Sequence, residues 1–262
     1  MVLSLPSKNI SYQMMQGKIH IGTSGWSYKH WRGNFYPAEV KVKDHFTHFK
    51  KFFNTVELNN PFYHLPPRQT FEKWYNSTPD DFVFAVKANR YITHLKKLRN
   101  ADESLAYFLQ NAEGLQQKLG VILFQLPPGW QLDLERFRDF LQLLPARHRY
   151  TFEFRNATWY TGEVFSLLKQ HNCAFCIYEL AGHISPLEVT ADFIYIRLHG
   201  PGGKYQGSYS EEALQWWAAS CKSWSASGKD VYIYFDNDQE GYAAFNALRL
   251  MELVAPAIKN PQ

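Results

Sequence analysis

Long apolar runs are missing from this 262-residue chain, and no stretch is long enough to span a bilayer. The opening MVLSLPSKNISYQMMQGK is broken by Pro6 and carries no small-residue cleavage site, so neither a membrane anchor nor a secretory leader is expected. Cysteine is scarce. Three cysteines cannot all pair, which argues against a disulfide framework and for a reducing, cytoplasmic compartment. Cys173 and Cys176 form a C-x-x-C, but that spacing falls on a predicted strand, where positions three apart face opposite sides. Both are therefore read as packing residues. Charge of one sign is lacking too: the formal net charge is only +4, which permits an anionic partner without requiring one. No Walker spacing and no H-E-x-x-H occurs, and GTSG (22–25) lacks the third glycine and helix-opening context of a dinucleotide fingerprint. No cofactor and no metal is called on these grounds.

Aromatic and β-forming sequence is abundant instead. Aromatics make up 17% of the chain and hydrophobic residues 45%, a globular composition. Short β-rich runs recur at 18–22, 55–59, 82–87, 121–126, 150–155, 174–179, 193–200 and 231–237. Helical segments are expected between or after them at 44–53, 68–76, 103–118, 134–144, 162–171, 210–225 and 240–254. The sixth crossover, AGHISPLEV, has room for little more than one turn. Repeated β-then-α order calls for a parallel sheet, because parallel neighbours need crossovers. Eight such units in this length predict an α/β chain closed as a single (β/α)₈ TIM barrel over 18–262, behind an extension of residues 1–17.

Parity within the strands sharpens this expectation. Val56 and Leu58 oppose Thr55, Glu57 and Asn59; Phe152 and Phe154 oppose Thr151, Glu153 and Arg155. Ile194, Ile196 and Leu198 oppose Tyr195, Arg197 and His199; Ile233 and Phe235 oppose Tyr232, Tyr234 and Asp236. In a barrel the apolar faces must meet the helices, which turns the polar sets inward. A polar interior is expensive unless it is paired or hydrated, so it is the most informative feature of the chain.

The motif GTSGWSYKHWRGNFYP (22–37) resembles the YecE-like family, a domain-of-unknown-function family with a TIM-barrel fold. The resemblance continues through VELNNPFYHLP (56–66), FVFAVKANRYITH (82–94), VILFQLPP (121–128), EFRNATWY (153–160), YIRLHG (195–200) and VYIYFDNDQEGYAAFNAL (231–248). It implies the fold but supplies no reaction, since a fold does not confer a function. The family usually has Asn where this chain has Asp236.

Candidate chemistry gathers at the carboxyl ends of the strands, where barrel enzymes place catalysis. Glu57 and Glu153 are the acid/base candidates, and Lys87, Arg155 and Arg197 the clamp for an anion, with Asn59, Gln125, His199 and Asp236 beside them. A structural ion-pair network is the competing explanation. Glycoside hydrolysis would further need the two glutamates roughly 5–10 Å apart across the bond. The glycine-rich loop HGPGGKYQGSY (199–209), with Lys204, is a candidate phosphate site. Among the loop aromatics, Trp26 and Trp159 are the preferred ligand contacts, and at least half of the others are expected to fold inward. His20 is read as a hydrogen-bonded interior residue, and a metal grouping of His199, Glu153, Glu179 and Asp236 lacks any supporting spacing. These features favour an enzyme acting on a small anionic, phosphate-containing, sugar-like or nucleotide-like ligand. The alternatives are a nucleic-acid-binding or processing protein, suggested by the basic stretch KANRYITHLKKLRN (87–100), and a non-catalytic ligand-binding barrel.

Overall fold

A computed structural model of the chain describes residues 16–256. The 1–17 extension therefore lies outside the described residues, apart from Gln16 and Gly17. Eight parallel strands form the sheet: β1 Ile19–Thr23, β2 Thr55–Leu58, β3 Val83–Lys87, β4 Leu119–Leu126, β5 Arg149–Phe154, β6 Ala174–Leu180, β7 Phe193–Leu198 and β8 Asp230–Phe235. Each pairs with its sequence neighbour, and β1 pairs with β8 from Ile19 opposite Val231 to Thr23 opposite Phe235. The seam between β1 and β2 is looser. It closes through a single parallel bridge, Ser24 to Glu57, and the Gly25 amide donates to the Glu57 carbonyl at 2.8 Å. Gly22 makes that approach possible: a Cβ there would sit 2.5 Å from the Thr55 carbonyl oxygen.

Alternation along the strands sorts the side chains as the sequence parity requires. Val56, Leu58, Phe152, Phe154, Ile194, Ile196, Ile233 and Phe235 join the main core between sheet and helices. The long helices begin on side-chain caps where the sequence provides them: Asp133 accepts from the Arg136 amide, Thr161 from Val164 and Ser210 from Ala213. The helix expected over 103–118 is α-helical only over Asp102–Ala112 and continues as a 3₁₀ segment kinked at Gln116. The 44–53 segment yields just His45–Phe49 as α-helix. The sixth crossover carries no helix. His183–Ile184 folds back as a two-residue antiparallel strand on the end of β6.

The barrel interior is layered. At the floor, His20 stacks on Tyr232 with ring centroids 4.7 Å apart, and Arg149 donates to the Tyr232 hydroxyl and to Asp230. A middle layer of Ala85, Leu123, Cys176, Tyr195 and Tyr234 plugs the barrel. Cys176 lies in this layer and Cys173 in the outer core, so the two thiols do face opposite ways; burial pushes both up, Cys173 to about 12. With the middle sealed by rings and aliphatics, the charged residues of the next layer are reachable only from the carboxyl ends of the strands.

Candidate functional site

Arg197 is the hub of the upper layer. Parity places it inward two residues above Tyr195 on β7, and it is 1% exposed. Its guanidinium grips Glu57 with two donors, Nε to Oε2 at 2.9 Å and Nη2 to Oε1 at 2.7 Å. Nη1 reaches Glu153 Oε2 at 2.7 Å, and Nη2 reaches Asp236 Oδ2 at 3.1 Å. Glu57 also accepts from the Ser24 hydroxyl at 2.5 Å and the Tyr195 hydroxyl at 2.6 Å, so both of its oxygens are occupied. Glu153 is held from its other side by Arg155 Nε.

His199 completes the network and its ring roles can be read from its neighbours. Nε2 lies 2.8 Å from Arg155 Nη2 and 3.3 Å from Arg197 Nη1, both of which only donate. Nε2 must therefore accept, leaving Nδ1–H to donate to Asp236 Oδ2 at 2.9 Å. Burial alone would raise the carboxyls of Glu153 and Asp236. The neighbouring guanidiniums outweigh it, holding Glu153 well below the usual range, and Arg197 with the Nδ1–H of His199 lowers Asp236 as well. These acids are fixed as carboxylates.

Above the network opens a pocket of about 470 Å³. Trp26, Tyr28, Trp74, Tyr63 and Tyr205 line its walls, and Lys87, Arg197, Asp236 and Asp238 contribute its charged surface. Arg197 has every donor engaged by the contacts above. Lys87 differs: among the described residues its ammonium has neither a hydrogen bond nor an ion pair, and it sits 4.1 Å from the centre of the Phe62 ring. Burial, with Arg197 beside it, pulls its pKa down to about 8. Asp236 is open in the opposite sense. Its carboxylate's hydrogen bonds all run to Oδ2, leaving Oδ1 without a partner among the described residues at the pocket wall. Asp238 is pushed up by burial and by the charge of Asp236, although His30 Nε2 lies 3.3 Å from its carboxylate.

Several sequence-derived expectations are redistributed by this geometry. Glu57 and Glu153 are fully buried on two sides of one guanidinium, so Arg197 fills the space where a glycosidic bond would have to lie. Trp26 and Asn59 line the pocket. Trp159 does not: it is 0% exposed, stacks on Phe154 outside the barrel, and donates to the Trp130 carbonyl at 2.8 Å. Gln125 belongs to the inner ring, its amide turned to the Leu126 carbonyl. Lys204 is exposed and lies outside the pocket lining. Its loop is wound tightly on itself, with the amides of Gly200, Tyr205, Gln206 and Gly207 already donating to Tyr209, His199, Gly203 and Gln239. The visible effect of these bonds is to hold Tyr205 over the pocket.

His20 is interior, as its position implies, but Nδ1 is buried with no hydrogen-bond partner. Glu179 points outward to Trp217, so the grouping with His199, Glu153 and Asp236 does not assemble. Among the described residues no three His, Cys, Asp or Glu side chains gather as a metal ion would need. In the 87–100 stretch, Arg90 and Arg99 are exposed, Leu98 is buried, and Lys96 is turned back onto the Asn100 carbonyl. Trp31, Phe35, Tyr36, Phe62 and Trp130 fold inward. Sequence reasoning missed Ser24, Trp74 and Asp238. Asp238 carried a signal, two residues beyond Asp236 at a strand end; Trp74 carried none, because it comes from a helix and reaches the mouth only through packing.

A family model described as "Protein of unknown function DUF72" matches residues 20–262. The UPF0759 protein YunF of Bacillus subtilis is 26% identical over 272 aligned residues, spanning 90% of this chain and 94% of that protein. The UPF0759 protein YecE of Escherichia coli K12 is 30% identical over 143 residues, 54% of this chain and 50% of that one. Among solved structures, a DUF72 family protein from Thermotoga maritima superposes with a TM-score of 0.81 at 27% identity, over 90% of this chain and 99% of the other. A DUF72 family protein from Enterococcus faecalis, 18% identical, shares the fold with a TM-score of 0.78 over 93% and 98% of the two chains. No helix of the described residues is long and apolar enough to cross a membrane.

Proposed function

The chain belongs to the DUF72 family, and from that premise we propose that the barrel mouth is the active site of an enzyme acting on a small organic anion with a ring or other flat body. One observation carries the reading: among the described residues Lys87 is a cation in the pocket with no counter-charge in contact, in a layer where Arg155 and Arg197 are each paired with a carboxylate. An ammonium half-withdrawn from water at a pocket wall, with no counter-charge in contact, is a place where a bound anion gains a charge-assisted contact. The aromatic walls suit a flat or sugar-like body. Asp236 Oδ1 accepts a hydrogen bond from the ligand, and Asp238, raised by burial and by the charge of Asp236, is the acid/base candidate at the pocket wall. Glu57 and Glu153 hold Arg197 and are assigned positioning rather than proton transfer, since neither lines the pocket. Phosphate and carboxylate both satisfy the Lys87 requirement.

The test is a binding screen of sugar phosphates, nucleotides and small carboxylic acids by thermal shift and calorimetry. A ligand of the native protein should bind at least tenfold more weakly to Lys87→Met and to Trp26→Ala, and about equally to Lys204→Ala. A ligand that binds Lys87→Met as tightly as the native chain would refute the reading.

A further inference from the structure

We propose that Lys87 is a covalent nucleophile, and that the pocket takes 2-oxo acids or similar anionic carbonyl compounds by forming an iminium with its side-chain nitrogen; this rests on the mouth being the ligand site. Three placements support it. The side chain stands at the carboxyl end of β3, facing into a walled cavity of about 470 Å³. Its nitrogen stands over the Phe62 ring in a weak cation–π contact, and among the described residues no carboxylate or carbonyl touches it to hold it protonated. A second, permanently charged cation, Arg197, borders the same cavity. Withdrawal from water and a neighbouring cation are the two environments that turn a lysine into a nucleophile. Around it stand Arg197 from β7, Glu57 from β2, Glu153 from β5 and Asp236 at the end of β8, with His94 on its own connection; burial dominates, and the amine titrates near 8.

The step balances without any added oxidant or reductant. The neutral amine attacks the carbonyl carbon, forming the C–N bond while the carbonyl π pair moves to oxygen. That oxygen takes the proton the nitrogen gives up. It then departs as water with one further proton taken from the solvent that fills the mouth, and the positive charge stays on nitrogen as the iminium. Retention of that charge explains the substrate class. A carboxylate next to the former carbonyl still faces a cation after the bond has formed, so covalent capture does not sacrifice the ion pair.

The experiment incubates the full chain with glyoxylate or pyruvate, reduces with cyanoborohydride and maps adducts by peptide mass spectrometry, alongside thermal shifts with each probe. The expected result is a reduced adduct at Lys87 that exceeds any other lysine and vanishes in Lys87→Arg. In parallel, competitive acetylation of the native chain should titrate Lys87 at about pH 8, leaving a few hundredfold (~200–300) more neutral amine at pH 7 than an exposed lysine has. Probe stabilisation that is lost in Lys87→Met but comes with no adduct at Lys87 would overturn the covalent step and leave the anion pocket standing. Adducts confined to exposed lysines, with stabilisation that survives Lys87→Met, would overturn both. An amine that titrates with the surface lysines would also overturn the covalent step, whether or not the variants fold.

Discussion

Replacing Arg197 with Met removes the one group shared by three buried carboxylates, and the cost can be apportioned from its contacts. Glu153 keeps Arg155, and Asp236 keeps the Nδ1–H of His199. Glu57 is left with only the hydroxyls of Ser24 and Tyr195 while remaining fully buried. Breaking a buried pair by deleting one partner costs about 3–5 kcal/mol, because the survivor stays desolvated. For a chain of this size each kcal/mol moves Tm by about 2–4 °C, so Arg197→Met should melt on the order of 10 °C lower at pH 7. If stranded charge is the cause, neutralising it should help. Arg197→Met with Glu57→Gln should be more stable than Arg197→Met alone, with a coupling of about 1–3 kcal/mol in urea unfolding. A single variant within about 1 kcal/mol of the native chain, or a double variant no better than the single, would refute the claim that Arg197 neutralises Glu57.

Other consequences are more local. His20 is pulled down to about 4, by burial first and then by Lys18 and Arg149 against Asp230, so the folded state binds its proton less readily than the unfolded chain. Its contribution is therefore intact above about pH 6.5 and is lost as pH falls from there towards 4. His20→Phe, which keeps a ring on Tyr232, should flatten the stability profile in that window by about 1–3 kcal/mol; an unchanged slope would remove His20 as its source. Glu153 and Asp236 are depressed carboxyls, so their stabilisation holds above about pH 4 and disappears below it, and Glu153→Gln should weaken the acid dependence measured by urea unfolding. Trp159→Ala should cost about 3–5 kcal/mol in the same assay while leaving ligand affinity unchanged once the variant is folded, whereas a selective loss of affinity would return that ring to the site. Gly200→Ala should displace the loop that carries Tyr205, since its φ is +108° and a Cβ would meet the Gln206 carbonyl oxygen at 2.3 Å. The expected readout is faster hydrogen exchange at the Tyr205 and Gln206 amides, which the native loop ties to the His199 and Gly203 carbonyls, and unchanged exchange would show that the loop can absorb the methyl group.

The eight-strand plan was legible in the sequence because its signal is local. Alternation of period two is written residue by residue, so TVELN, YTFEFR, FIYIRLHG and VYIYFDN each declare two faces before any partner is known. The missing sixth helix was half legible, for AGHISPLEV is too short for one, but nothing in it announced the antiparallel return at His183–Ile184. Trp159 misled because proximity to a strand end does not say which side of the barrel a ring will take. The Phe154 and Trp130 contacts that hold it outside come from packing.

The sequence by itself determined that Glu57, Glu153, Arg197 and Asp236 share an interior, because parity and strand order suffice for that. Only the tertiary structure decided which of them remain open to a ligand. Saturation depends on counting donors against acceptors after β7 has come to lie opposite β2 and β5, and that count leaves Glu57 and Glu153 closed. Among the described residues it leaves Asp236 Oδ1 and the Lys87 ammonium free at the pocket wall. Two carboxylates of equal standing in the sequence can thus differ in chemistry, because a buried charge is tuned by the groups that closure of the barrel brings within a few ångströms of it.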